Sequence, residues 1–427
     1  MNVCVHGETL HAWVSAARLA ETGNQVILRR AVHGGDELPP LREPGLRELV
    51  NDQQEALRLA LCGPDDLPDC DIHIAAMAGR YTDMQPLVSD ILQHAAADRH
   101  LLVLSPYPVG SLDQLQIDCD RTTNALGIPH RLHVVGMPQF TREGSALADF
   151  SHPWLLVSSG LEDSTALALE LFRPFIRHHT HVMRVNHATA ELIRMGVNAL
   201  LATRLSFINE MASLAERLNV DIEPIRNGIG ADPRIGRDYL EPGCGFGGPN
   251  FSDELIHYSQ TIRQELDTHG LIDAVIRINE SQRELLFRKL WRYFEGQMTG
   301  RRIAIWGAAF KPGTASVENS VIHPLLKALW AQGARTSVYD PMASQNLANE
   351  YQHQPFLEVC TSAMDAAAGA DALVIVTAWD EFGNPDFVWL KNNLGKPVIF
   401  DGRNLYNPSY MAESGFDYFA IGRGQII

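Results

Sequence analysis

NVCVHGETLHAWVSAARLAETGNQVILRR, residues 2–30, opens the chain. Its first five residues are short, apolar and β-branched, which is the pattern of a buried strand. Gly7 turns the chain, and a helical run follows from Thr9 to Glu21. Gly23 closes that helix, and residues 25–30 read as a second strand. Strand, glycine turn, helix and strand in this order make the unit from which parallel, doubly wound α/β folds are built, a Rossmann-like opening.

Working outward, residues 71–80 (DIHIAAMAGR), 101–110 (LLVLSPYPVG) and 154–160 (WLLVSSG) read as further strands running into loops, the last of them closing the N-terminal domain. From Ala188 to Leu218 apolar residues recur at three and four without a proline, predicting one long helix that Asn186 or Thr189 would cap. A second α/β unit begins at Arg301. RRIAIWGAAF, ARTSVYD, DALVIVTAWD and PVIFDGR are its strands, and HPLLKALWAQG is one of its helices. The fold expected is therefore α/β, with two Rossmann-like doubly wound domains joined by a long central helix. The boundaries expected are 1–185, 186–290 for a helical dimerisation domain, and 301–427.

The 51 acidic and 35 basic residues give a net charge of −16, which argues against nucleic acid as a partner and requires any phosphate site to be locally basic. No stretch has the length of a membrane span and no leader pattern opens the chain, so a cytoplasmic location is expected. The cysteines (4, 62, 70, 119, 244 and 360) show no metal-type spacing, and no metal site is expected.

Tyr239 to Leu255, YLEPGCGFGGPNFSDEL, carries Gly243, Gly245, Gly247 and Gly248 around Phe246, a loop in which backbone can approach a ligand closely. It follows GIGADPRIG (228–236) and precedes GAAFKPGT (307–314), VYDPMA (338–343), AWDEF (378–382) and DGRNL (401–405). In this order and at these intervals the set resembles the UDP-glucose 6-dehydrogenase family of nucleotide-sugar dehydrogenases, nearly end to end. The resemblance implies NAD in the N-terminal domain, a UDP-sugar on the C-terminal one and a dimer built on the central helix. It also implies two successive oxidations of a sugar C6 hydroxyl. In these a cysteine thiolate captures the aldehyde, and water releases the uronate from a thioester.

Position by position, the catalytic set differs from the family's. The thioester cysteine is Asn250, the lysine on the helix is Arg194, the threonine is Pro106 and the first glutamate is Gln139. Asn198 and Glu143 are kept, and Glu254 stands for an aspartate. Arg194 keeps its charge but does not exchange protons at neutral pH. On the cofactor side, G-x-G-x-x-G keeps Gly7, while Thr9 and Ala12 replace the other glycines and Glu8 adds a charge. Arg29 or Arg30 stands where an acid would hold the ribose, and Asp253 and Glu318 stand where cations would meet the pyrophosphate. Arginine there fits the 2′-phosphate of NADP, or else the site has fallen out of use. The nucleotide-sugar side keeps Arg234, Tyr239, Gly243 to Gly248, Phe310, Lys311 and Arg403.

These residues predict a catalytically impaired or silent relative. It would keep nucleotide-sugar binding, or serve as regulatory partner of an active paralogue or as a homodimer, in polysaccharide or lipopolysaccharide precursor synthesis. The alternatives are an active NAD(P)-dependent UDP-sugar dehydrogenase that works without a cysteine, and a structural oligomer that binds neither ligand.

Overall fold

A computed structural model describes residues 1–30, 43–249 and 251–423. The chain divides into two compact units, Met1–Val197 and Asn198–Ile427.

Among the described residues, the first unit is built on eight strands: β1 (Asn2–His6), β2 (Gln25–Arg29), β3 (Leu59–Cys62), β4 (Ile72–Ala75), β5 (Arg99–Val103), β6 (Leu132–Gly136), β7 (Leu155–Ser159) and β8 (His181–Val185). They lie in the order β3-β2-β1-β4-β5-β6-β7-β8. All neighbours are parallel except β6 and β7, which meet at Gly136 and Ser159. The order reverses at β1, which places the switch point of a doubly wound sheet at the turn after His6. The expectation that WLLVSSG closes this sheet is corrected, because β8 follows it. β8 is an edge strand whose first four residues are exposed, so it lacks the apolar run by which a buried strand is read.

Each face of the sheet carries its own core. Val3 and Val5 pack with Trp13, Leu19 and Phe172 on one face, while Ala75, Leu101 and Val103 pack with Val88, Ile91 and Leu115 on the other. Both faces are covered, so the central strands read as continuous apolar runs.

In the second unit β9 (Arg302–Trp306), β10 (Arg335–Tyr339), β11 (Leu357–Val359), β12 (Ala372–Ile375), β13 (Val398–Asp401) and β14 (Asp417–Phe419) lie in the order β11-β10-β9-β12-β13-β14, all parallel. This repeats the switch-point geometry at β9. The helix His187–Arg217 is unbroken over 31 residues. The Asn186 side chain accepts from the Thr189 amide at 2.8 Å, so Asn186 provides the cap.

Candidate functional site

In the first unit the turn after β1 is closed by its own side chains. Gly7 has φ +128, and a Cβ there would lie 2.4 Å from the Ala76 carbonyl oxygen, so only glycine fits. The Thr9 hydroxyl donates to Ala76 O at 2.6 Å and accepts from the Ala12 amide at 3.2 Å, which makes Thr9 the cap of the helix Leu10–Glu21. One of the amides that a phosphate would use is thereby taken. Glu8 pairs with Arg30 at 3.2 Å, so the two charges offset each other. Arg29 donates to the Pro64 carbonyl and to Asp90, at 3.0 Å from the latter.

The other candidates of this unit gather near the start of the long helix. Arg194 donates to the Gln139 carbonyl at 2.5 Å and lies 5.5 Å from the Phe140 ring centre. The Gln139 side chain is buried and turns back to Met137 O, while Glu143 is half-buried on the following loop. Pro106 and Arg194 share a cavity of about 10 Å³ with Ser105, Tyr107 and Glu191. Glu191 did not figure in the sequence reading, although its spacing of three from Arg194 puts both on one helix face. Its carboxylate accepts from the Gly110 and Leu112 amides at 2.7 and 2.9 Å. Burial pushes its pKa up to about 7, against the pull of those two amides. His11 faces Thr141 at 3.0 Å, and burial, then the Arg194 charge, brings it down to about 4.

In the second unit, Asn198 Nδ2 donates to Glu254 Oε2 at 2.7 Å, with both residues buried. Asn250 lies outside the described residues. Asp253 is exposed in the first turn of the helix Phe251–Leu266. Partial desolvation, then the Asp253 charge, holds Glu318 above the usual carboxylate range.

The glycine loop is wedged into its own unit. The Gly243 amide donates to Asn209 Oδ1 at 2.8 Å, and the Gly243 carbonyl accepts from Gln282 at 2.7 Å. The Cys244 amide donates to Gly402 O, Phe246 exchanges hydrogen bonds with Asn279, and the Gly248 amide donates to Glu318 O. A Cβ on Gly247 would sit 2.1 Å from Asn319 O. One on Gly245 would meet Arg283 at 2.8 Å, and one on Gly248 would meet the Phe310 ring at 2.9 Å. These glycines are required by neighbouring protein atoms. Tyr239, at the start of the loop, takes a left-handed φ of +57 without being glycine.

Three of the quoted motifs meet at one carboxylate. Asp340, just past the end of β10, accepts from the amides of Ala308, Ala309, Met342 and Ala343 and from Trp379 Nε1, all between 2.7 and 3.0 Å. Asp401, ending β13, is fully buried and accepts from the amides of Arg403, Leu405 and Tyr406 and from the Tyr418 hydroxyl. Burial raises its pKa. The two carboxylates fix the loops at the C-terminal ends of the strands, where open parallel sheets bind ligands. Neither figured in the sequence reading beyond its motif; an acid ending an apolar strand was the available signal.

Asp401 thereby positions Arg403, whose Nε donates to Val376 O at 2.6 Å. Arg403 lines a cavity of about 330 Å³ with Arg226, Arg423, Glu223, Glu241 and Tyr406, a volume within the range of small-molecule sites. Phe310, Lys311 and Arg234 do not line it. Lys311 Nζ lies 5.6 Å from the Phe310 ring centre, and Arg234 is exposed and pairs with Asp232 at 2.6 Å.

Spacing along the chain showed no metal motif, yet register across the first sheet sets Cys4, His6 and His73 together with all three buried. Every thiol in the chain is pushed above its ordinary range by burial. Cys70 and Cys360 reach about 11 and Cys119 about 12, and Cys4, Cys62 and Cys244 are also raised.

Residues 304–408 match the family model described as UDP-glucose/GDP-mannose dehydrogenase family, UDP binding domain, and residues 188–281 match that family's central domain. The chain is 35% identical to the UDP-glucose 6-dehydrogenase of Pseudomonas aeruginosa over 99% of its own length and 98% of the relative's. It is 32% identical to UDP-glucose 6-dehydrogenase TuaD of Bacillus subtilis, over 99% and 93%. The fold matches a UDP-glucose dehydrogenase from Pyrobaculum islandicum with a TM-score of 0.85 at 24% identity, covering 99% and 97% of the two chains. End-to-end similarity at this level, with both family domains in place, makes the chain a member of the UDP-glucose/GDP-mannose dehydrogenase family.

Proposed function

We propose that this chain binds a nucleotide sugar on its second unit and is impaired or silent in the oxidation that the resemblance implies. It would then act as a binding or regulatory subunit in polysaccharide or lipopolysaccharide precursor synthesis. The observation that carries the reading is the state of the thiols. Thioester chemistry needs an accessible thiol, Asn250 supplies none, and five of the six cysteines are buried while Cys62 is partly exposed, with burial pushing every thiol above its ordinary range.

The turn after β1 is a poor fit for the pyrophosphate of NAD or NADP. Its helix start is capped by Thr9, Glu8 is paired with Arg30, and Arg29 is engaged by Pro64 and Asp90. The cavity lined by Arg226, Arg403 and Arg423 offers volume and guanidinium donors for a UDP-sugar, with Arg226 paired to Glu223 and Glu241 and Arg423 to Asp221. A homodimer, or pairing with a paralogue, is supported by Leu200, Phe207 and Leu214. These are exposed at seven-residue intervals along the long helix.

Melting the pure chain with UDP-glucose, NAD and NADP separately tests this. UDP-glucose at 100 times its dissociation constant adds about 2.7 kcal/mol, and the dinucleotides add nothing. A shift with either dinucleotide contradicts the reading. A second reading, an active dehydrogenase without a cysteine, draws on Glu191, a carboxyl held near neutrality in the cavity beside Arg194. It requires turnover that Glu191→Gln abolishes.

A further inference from the structure

Cys4 and His6 are alternate residues of β1, so their side chains leave the same face of the sheet. Val3 and Val5 belong to the core on the opposite face. β4 runs parallel to β1 with His73 beside Cys4 and Ala75 beside His6. The three donor atoms, one sulfur and two ring nitrogens, lie within 4.8 Å of one another, and all three residues are buried. His6 Nε2 and His73 Nδ1 are 3.0 Å apart, and the ring planes differ by 23° at a centroid distance of 5.2 Å. The rings therefore meet edge to edge, sharing one proton between two nitrogens.

We propose that Cys4, His6 and His73 form a structural zinc site that clips β1 to β4 at the end of β1 leading into Gly7. One thiolate and two neutral imidazoles are a borderline-soft set that suits zinc, with metal distances of about 2.3 Å to sulfur and about 2.0 Å to nitrogen. Tetrahedral binding opens the nitrogen pair from 3.0 Å to roughly 3.3 Å and tilts the rings toward a common point. Binding forms one Zn–S and two Zn–N bonds and releases the Cys4 proton to solvent. The proton shared by the rings moves to the outer nitrogen of His6, with no change in oxidation state. The fourth position is left to water, since Cys70 is not among the residues whose donor atoms lie within 4.8 Å of one another. The charges around the site are Arg29, held by Asp90, and Arg99, held by Asp69. Each cation carries its own counter-ion, so the added dication meets no uncompensated positive charge.

The test is a cobalt titration of the chelator-treated full chain, with zinc displacement. One cobalt per chain is expected, with a thiolate-to-cobalt charge-transfer band and the intense visible bands of a tetrahedral ion, both lost on adding zinc. Cys4→Ala loses the thiolate band. His6→Gln and His73→Gln each weaken binding at least tenfold. Cys62→Ala, at a half-exposed thiol, keeps the full spectrum. Absence of the thiolate band in the unmodified chain at saturating cobalt overturns the proposal without recourse to any variant. So does a band that survives in Cys4→Ala. Circular dichroism of each variant separates lost ligation from lost folding. Where a ligand variant does not fold, the spectra of the unmodified chain and of Cys62→Ala decide the question.

Discussion

Asp340 receives five hydrogen bonds while 2% exposed, so its removal orphans four backbone amides and an indole N–H in a dry environment. Asp340→Ala is expected to cost about 3 kcal/mol or more in a urea melt. Asp340→Asn is also expected to destabilise, because it presents an NH₂ group to donors. Glu191 gives a pH signature. Its pKa is raised from 4.5 to about 7 in the folded chain, so between those values the folded state binds more protons than the unfolded state. Stability from this group therefore falls as pH rises through that window and levels off above it, by about 3 kcal/mol. Glu191→Gln should flatten that segment of the stability curve; an unchanged slope would remove the assignment. At this scale the sequence showed which positions were unusual, such as Thr9, Arg29 and Asn250. It did not show their partners, because hydrogen bonds such as Thr9 to Ala76 join residues far apart in the chain.

Among the elements, the central strands were legible and the edges were not. β1, β4, β9, β12 and β13 are buried on both faces and announce themselves as apolar runs. Of the strands that were not read, β3, β8, β11 and β14 are the four sheet edges, each short or half-exposed, while β6 lies inside the first sheet and is the exception. The glycine loop was legible as a loop, but its glycines answer to Asn319, Arg283 and Phe310. Gly247→Ala should cost about 3 kcal/mol, because the methyl meets a backbone oxygen that cannot step aside. Gly196→Ala, in the long helix with open space around it, should stabilise by about 1 kcal/mol. Equal effects at the two sites in thermal melts would refute the packing account of the loop.

For the molecule as a whole, the doubly wound architecture and the family were both readable, because sheet order and motif order do not depend on the identity of any one site residue. The grouping of Cys4, His6 and His73 was not readable, because only strand register brings residue 73 beside residue 4. Association is the property best tested at this scale. Charged replacements at Leu200, Phe207 and Leu214 should convert a dimer to monomer in sedimentation velocity with the fold retained. If the untouched chain is already monomeric at micromolar concentration, the homodimer is excluded.

On the function proposed here, this family scaffold has given up thioester chemistry. Initial-rate measurement of reduced-nicotinamide absorbance, with pure chain, UDP-glucose and NAD or NADP, tests it most directly. No rate above the enzyme-free control is expected under conditions in which the Pseudomonas aeruginosa relative turns over. A sustained rate in proportion to the chain's concentration would contradict it.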